Sequence, residues 1–332
     1  MKLKNETTFL FFLIIFQVGI CQNRISSKDG FISPDIESFQ GQKPEANWIW
    51  DSGDPNPKNY YLHVRKSFKL DNSIKEAKAY VSAFSFAELY INGEYIDRVP
   101  TNPDPEYQTY EEIDISPYLK LGVNTIAALV HNVGEGLHHR MNGRGGFFFQ
   151  SKIIDSEEKI IKLNTDKSWL VAKAIAWDSK TDHRQIDHTI GRQEKYDARL
   201  AYDGWELNHF NDSNWGNATE IGVPPIDPWN KIVVINRERT FFKNFTPEKK
   251  WIRNGLHIYD FGKAITAYPC FVANSSESGL TFEIGTAETL GKDSIPLTTD
   301  NVNYIDFYIT KKGLQTWNPI TWRSFRYLAI KE

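Results

Sequence analysis

The chain has 332 residues, a formal net charge of −3 and 14% aromatic residues, including 10 Trp and 15 Tyr. That length accommodates about two domains of roughly 150 residues each. The charge balance, with no basic cluster, excludes a nucleic-acid partner, which demands a basic face to replace counterions.

The N-terminus reads as an export signal over residues 1–21. Lys2 and Lys4 form a short positive region, Phe9 to Phe16 is apolar, and Gly19-Ile20-Cys21 offers a cut before Gln22. An uncleaved anchor and a lipidated Cys21 are the alternatives, although Ile20 fits a lipobox poorly. The apolar run is far short of the roughly 20 residues that span a bilayer, and no later segment is long and apolar enough. Cleavage after Cys21 leaves one thiol, Cys270, in the apolar stretch Ala267 to Val272, where a buried structural cysteine is expected. A periplasmic or secreted location follows.

Residues 22–46 are polar and read as a linker, and structure begins at Trp48-Ile49-Trp50. Short β-type runs follow at Tyr60 to Phe68 and Ala77 to Phe84, the latter with Val81 and Ala83 facing opposite to Tyr80 and Ser82. Glu88 to Ile91 and Glu94 to Ile96 flank Asn92-Gly93, a hairpin signal because both turn residues tolerate positive φ. Tyr110 to Leu119 leads into Gly122-Val123-Asn124 and a strand over Thr125 to Val130. Further strands are expected at Gly146 to Ile154, Ile160 to Leu163 and Trp169 to Ala176. No apolar period of 3.6 is sustained, so an antiparallel sandwich is predicted. Asp178 to Gln193 is polar and irregular, and Gly204-Trp205 and Phe210 to Trp215 follow. The stiff Val223 to Pro228 stretch marks the expected boundary. A first domain over 47–222 and a second over 229–332 result, the second with alternating strands at Thr281 to Gly285, Tyr304 to Ile309 and Phe325 to Ile330.

Leu89-Tyr90-Ile91-Asn92-Gly93, Asp114-Ile115-Ser116, Gly122 to His131, Gly143-Arg144-Gly145-Gly146, Thr165 to Trp169 and Tyr196-Asp197-Ala198-Arg199-Leu200 resemble, in order, the jelly-roll module of bacterial α-L-rhamnosidases (glycoside hydrolase family 78). Asp260-Phe261-Gly262, Ala287 to Leu290, Tyr308-Ile309-Thr310 and Phe325-Arg326-Tyr327 resemble the concanavalin-like sandwich that precedes the family's catalytic (α/α)6 barrel. Ser324 departs from the glycine usual before Phe-Arg-Tyr. The resemblance implies an all-β fold of two antiparallel β-sandwiches, a galactose-binding-like jelly roll followed by a concanavalin-like sandwich. It also places the catalytic carboxylates in a barrel that is absent before Glu332.

Glycoside hydrolysis requires a carboxyl pair flanking the scissile bond. Glu283, Glu288 and Asp306 are the acids weighed here. Glu283 and Asp306 occupy alternating strand positions, where solvated carboxylates are expected, so no catalytic pair is assigned. There is no nucleophile elbow and no phosphate-cradling loop. His131, His138 and His139, and His183 and His188 with Asp182 and Asp187, match no zinc spacing and read as surface or loop histidines. Sugar-binding side chains concentrate in two loops: Arg98, Asn102 and Asp104, then His131, Glu135, His138 and Arg144. Calcium is weighed at Asp51, Asp54 and Asp104 because related rhamnose-binding modules carry it; no EF-hand spacing is present and no cofactor is assigned.

The expected function is an exported, non-catalytic accessory protein that binds rhamnose-containing polysaccharide or assists its degradation. Two alternatives stand. One is a truncated or split α-L-rhamnosidase; the other is a structural docking partner of another glycan-degrading enzyme chain. The second sandwich is expected to expose an apolar patch where a barrel would pack.

Overall fold

A computed structural model describes residues 16–20, 43–99, 107–137, 141–184, 191–234, 241–291, 298–299 and 302–332. Most of the leader and linker, Asn102, Asp104, His138, His139, Asp187 and His188 lie outside the described residues. Among the described residues strands dominate, with single 3-10 turns at Ser116–Tyr118 and Ala198–Leu200 and no helix long and apolar enough to cross a membrane. The chain forms two compact units, one of residues 23–175 and 202–239, the other of residues 1–22, 176–201 and 240–332.

The first unit is a sandwich of two sheets. One sheet orders Gly216–Asn217, Leu170–Lys173, Tyr60–Leu70, Gly122–Asn132, Phe86–Ile91 and Glu94–Val99. The other orders Thr219–Gly222, Trp48–Trp50, Phe147–Asp155, Ile74–Ala83, Tyr107–Asp114 and Lys231–Val234, with Ile160–Asn164 pairing on Phe147–Asp155. Alternation sorts the side chains. Leu62, Val64, Val81, Ala83, Ala87, Leu89, Ala128, Val130, Phe147 and Phe149 fill the space between the sheets. The expected opposition of Val81 and Ala83 to Tyr80 holds, because Tyr80 joins a separate apolar cluster. At the hairpin, Asn92 (φ 54°) and Gly93 (φ 88°) take the left-handed conformation. Asn92 Nδ2 donates to Tyr118 O at 2.8 Å, and Asn92 Oδ1 accepts from Thr125 N at 2.9 Å.

Both outer faces are covered by aromatic straps. On the first sheet, Arg65 donates through Nε to Asp212 at 2.7 Å and through Nη1 to Trp205 O at 2.6 Å. His63 packs against Trp205 at 4.2 Å and Trp215 at 5.7 Å. Gly204-Trp205 and Phe210 to Trp215 thus close a sheet face. On the second sheet, Trp229 stacks on Trp48 at 4.0 Å within a cluster holding Tyr80, Phe84, Tyr110, Phe148 and Ile232.

The covered face has a pH consequence. Burial pushes the His63 imidazole down to about 3. A base with a lowered folded pKa stays neutral in the native state while the unfolded chain gains a proton below its ordinary pKa near 6.5. Its stabilisation is complete above about pH 6.5 and declines as pH falls towards 3. Between pH 6.5 and 5, roughly 2 kcal/mol should disappear through this residue. Urea titrations at the two pH values should show that loss, and His63→Phe should flatten it. An equal loss in the variant would refute the assignment.

In the second unit a sheet orders Lys195–Asp197, Ile305–Ile309, Thr281–Ala287, Arg323–Lys331, Leu256–Ala267 and Lys249–Arg253. Its apolar layer includes Phe261, Phe282, Ile284, Tyr308, Phe325, Leu328 and Ile330, with Phe271 and Trp317 from the paired strands Phe271–Ser275 and Gly313–Trp317. Phe16–Ile20 pairs antiparallel with Phe241–Phe245. Cys270 is buried and forms no disulfide, as expected.

Two features differ from the sequence reading. A boundary at Val223 to Pro228 does not separate the units: Lys231–Val234 pairs with Tyr107–Asp114 of the first. Residues 176–201, assigned above to the first domain, belong to the second unit, where Lys195–Asp197 is an edge strand. Both of these pairings are parallel, so the sheets are not purely antiparallel.

Candidate functional site

The described members of the predicted sugar site fall into two places on the first unit. Phe86, His131 and Tyr61 are directly opposed across three adjacent strands. His131 stacks on Tyr61 at 4.1 Å, meets Phe86 edge-on at 5.0 Å and shares a 2.9 Å hydrogen bond with Asn59 Oδ1. Arg98, from the neighbouring strand, lies over the Phe86 ring at 3.6 Å, a cation–π distance. The structure therefore joins Arg98 and His131 through one aromatic ring. His131 is not the surface or loop residue expected: it is on the strand Gly122–Asn132 and 7% exposed. An apolar partner on each neighbouring strand explains this.

Arg144 sits over Trp229, 5.8 Å from the ring. Its loop is pinned by backbone bonds from Gly145 N to Pro55 O at 2.8 Å and from Phe84 N to Gly146 O at 2.9 Å. A Cβ on Gly145 would lie 2.2 Å from Trp50, and one on Gly146 2.4 Å from Trp229. The glycines of Gly143-Arg144-Gly145-Gly146 therefore admit indoles where a side chain would stand. Glu135 is half-buried on the intervening segment.

Among the described residues no group of three or more His, Cys, Asp or Glu is arranged to hold a metal ion. Asp51 accepts from Gly53 N at 3.0 Å and from the Tyr60 hydroxyl, and Asp54 accepts from Asn56 N at 2.8 Å. Burial and the Asp51 carboxylate raise the Tyr60 phenol above its ordinary range.

The acids of the second unit are structurally engaged. Asp306 is 3% exposed, which corrects the expectation of a solvated position. It accepts from Arg184 Nη2, from Arg323 Nη2 at 2.7 Å and from Glu194 N at 2.7 Å. Burial pushes its carboxyl up, but Arg184 and Arg323 outweigh this and hold it below the usual carboxylate range. Glu194 accepts from Ile320 N at 2.8 Å, from Thr321 N at 2.9 Å and from the Thr321 hydroxyl. The fourth member is Arg323, 3.3 Å from Glu194. Sequence reasoning missed this network because its bonded partners lie up to 129 positions apart. Glu283 is 3.5 Å from Lys331, and Glu288 accepts from Ser324 Oγ at 3.1 Å. Bidentate pairing of Arg326 with Asp260 fixes the Phe325-Arg326-Tyr327 strand. These contacts give Glu194, Asp260, Glu283, Glu288 and Asp306 partners within the unit.

The architecture is that of a multi-sheet β-sandwich protein. Residues 72–235 match the family described as the alpha-L-rhamnosidase N-terminal domain. An α-L-rhamnosidase of Formosa agariphila is 28% identical over 285 residues, covering 81% of this chain and 29% of the relative. One from Alteromonas sp. (strain LOR) is 22% identical, covering 81% and 30%. The solved α-L-rhamnosidase of Dictyoglumus thermophilum aligns with a TM-score of 0.70 and 27% identity, over 86% of this chain and 34% of that one. The chain is thus homologous to the N-terminal region of α-L-rhamnosidases over 81% of its length, and it spans about 30% of the length of these curated relatives.

Proposed function

We propose that this protein is an exported, non-catalytic accessory protein that binds rhamnose-containing polysaccharide or assists its degradation. The observation that carries this reading is the match of residues 72–235 to the family described as the alpha-L-rhamnosidase N-terminal domain. The engaged carboxylates of the second unit support the non-catalytic part, since hydrolysis requires a free pair facing one bond. Arg98, Glu135 and Arg144, with Asn102, Asp104, His131 and His138, remain the side chains proposed to serve the glycan. Isothermal titration of the full chain with L-rhamnose and rhamnose-rich oligosaccharides tests it. Heat of binding is expected, with no rhamnose released from an aryl rhamnoside. No heat at millimolar ligand would reject binding, and released rhamnose would reject the non-catalytic assignment.

The same family match is compatible with a second reading, a truncated or split α-L-rhamnosidase. An open frame for a helical barrel beside this gene would support it. Export is proposed from Lys2, Lys4 and the Phe9 to Phe16 run. N-terminal sequencing of the periplasmic or secreted protein should then begin at Gln22.

A further inference from the structure

Arg144 differs from Trp169 and Arg65, two donors of its unit that are matched. Trp169 Nε1 donates to Asn164 O at 2.8 Å, and Arg65 is matched by Asp212 and Trp205 O. Arg144 Nε is sealed from solvent with no acceptor, and among the described residues its guanidinium has no carboxylate partner. Trp229 Nε1 and Trp48 Nε1, on the two stacked indoles beside it, are likewise buried without acceptors, both residues being 0% exposed. Guanidinium and indole are donors only. Buried donors left unmatched are rare and require an explanation in water or a ligand. Here three of them are carried by Arg144, by Trp229 5.8 Å from its guanidinium and by Trp48 stacked on that indole, and Arg144 as a whole stays partly accessible. The missing component is an acceptor, and the charge favours an anionic one.

The site is also built to hold its geometry. Phe84, Trp50 and Trp229 occupy the space that Cβ atoms on Gly143, Gly145 and Gly146 would take. The pinned loop holds Arg144 against Trp229.

We propose that Arg144, backed by Trp48 and Trp229, is an oxyanion subsite that takes the carboxylate or sulfate group of an acidic sugar in a glycan. This rests on the glycan-binding reading and adds that the ligand is charged. The oxyanion accepts from the exposed side of the guanidinium, and the buried indole N–H groups are reached through bridging water. A rhamnose residue alone carries no such group, so the acidic sugar is a neighbour of rhamnose or a sulfated form of it.

The experiment is calorimetric titration of the full-length protein with four probes: a uronate-bearing rhamnose oligosaccharide, its carboxyl-reduced counterpart, a sulfated rhamnose oligosaccharide and sodium sulfate. Carboxyl reduction should weaken binding about tenfold or more, the effect of a lost charge-assisted hydrogen bond. Arg144→Gln should bring the acidic ligand down to the affinity of the reduced one. Comparison of the first and third probes tells carboxylate from sulfate. The reduction arm needs no variant, so a misfolded Arg144→Gln leaves the test intact. Equal affinity for acidic and reduced ligands, or no binding of either oxyanion class, would overturn the subsite; in the first case rhamnose binding survives. Arg144-dependent binding of sulfate without any affinity for rhamnose oligosaccharides would uphold the subsite and reject the rhamnose reading.

Discussion

Replacing Arg323 with methionine should destabilise the second unit by about 3–5 kcal/mol, the usual loss when one partner of a buried ion pair is removed. Asp306 and Glu194 would both remain buried, facing only Arg184. The backbone of the Ile320 to Trp322 loop would loosen as well, because Arg323 Nη1 donates to Thr321 O and Trp322 O at 3.0 Å. The sign of the pH dependence separates this from lost packing. In the native protein Asp306 is held below the usual carboxylate range, so its contribution is present above about pH 4 and lost as pH falls through the lowered folded value. Without Arg323 that carboxyl rises and takes a proton more readily. The gap between wild type and variant should therefore narrow from pH 7 towards pH 4. Denaturant unfolding followed by near-UV circular dichroism at several pH values measures it. A gap below about 1 kcal/mol at pH 7 would contradict a buried charge network. So would a gap that widens in acid.

The same residues show what sequence periodicity delivers and what it does not. Strands at Ala77 to Phe84, Gly146 to Ile154 and Phe325 to Ile330 were legible because alternation is a local signal. Which face of a strand meets water is not local. Asp306 alternates like a solvated acid, yet it is buried by Arg184 from a segment 122 residues away. His131 fails for a related reason: Tyr61 and Phe86, on separate strands, enclose it. The prolines of Val223 to Pro228 suggest a boundary, yet Trp229 and Ile232 beyond Pro228 close an apolar face of the first unit. Arg98, Glu135 and Arg144 are proposed from residue type alone. Their separation onto Phe86 in one case and Trp229 in another requires the sheets.

Trp229→Ala should be the most damaging single truncation in the first unit, at about 3–5 kcal/mol, the range for buried aromatics replaced by alanine. The indole is fully buried and stacked on Trp48, with Gly146 directly beneath it. Truncation would open a void between Trp48, Gly146 and Ile226, and a glycine backbone has no side chain with which to fill it. The strand Lys231–Val234 holds its place on Tyr107–Asp114 at a sheet edge, so losing its anchor should also free that edge. Amide hydrogen exchange in 231–234 should then accelerate more than exchange in the central strand Phe147–Asp155. Trp229→Phe should recover part of the stability by refilling the stack. Gly146→Ala should be destabilising by about 1–3 kcal/mol from the opposite direction, because its methyl would enter the same indole. In the double variant Trp229→Ala/Gly146→Ala the methyl would occupy part of the void, so its loss should fall below the sum of the two single losses. Simple additivity would show that the two positions do not share this contact.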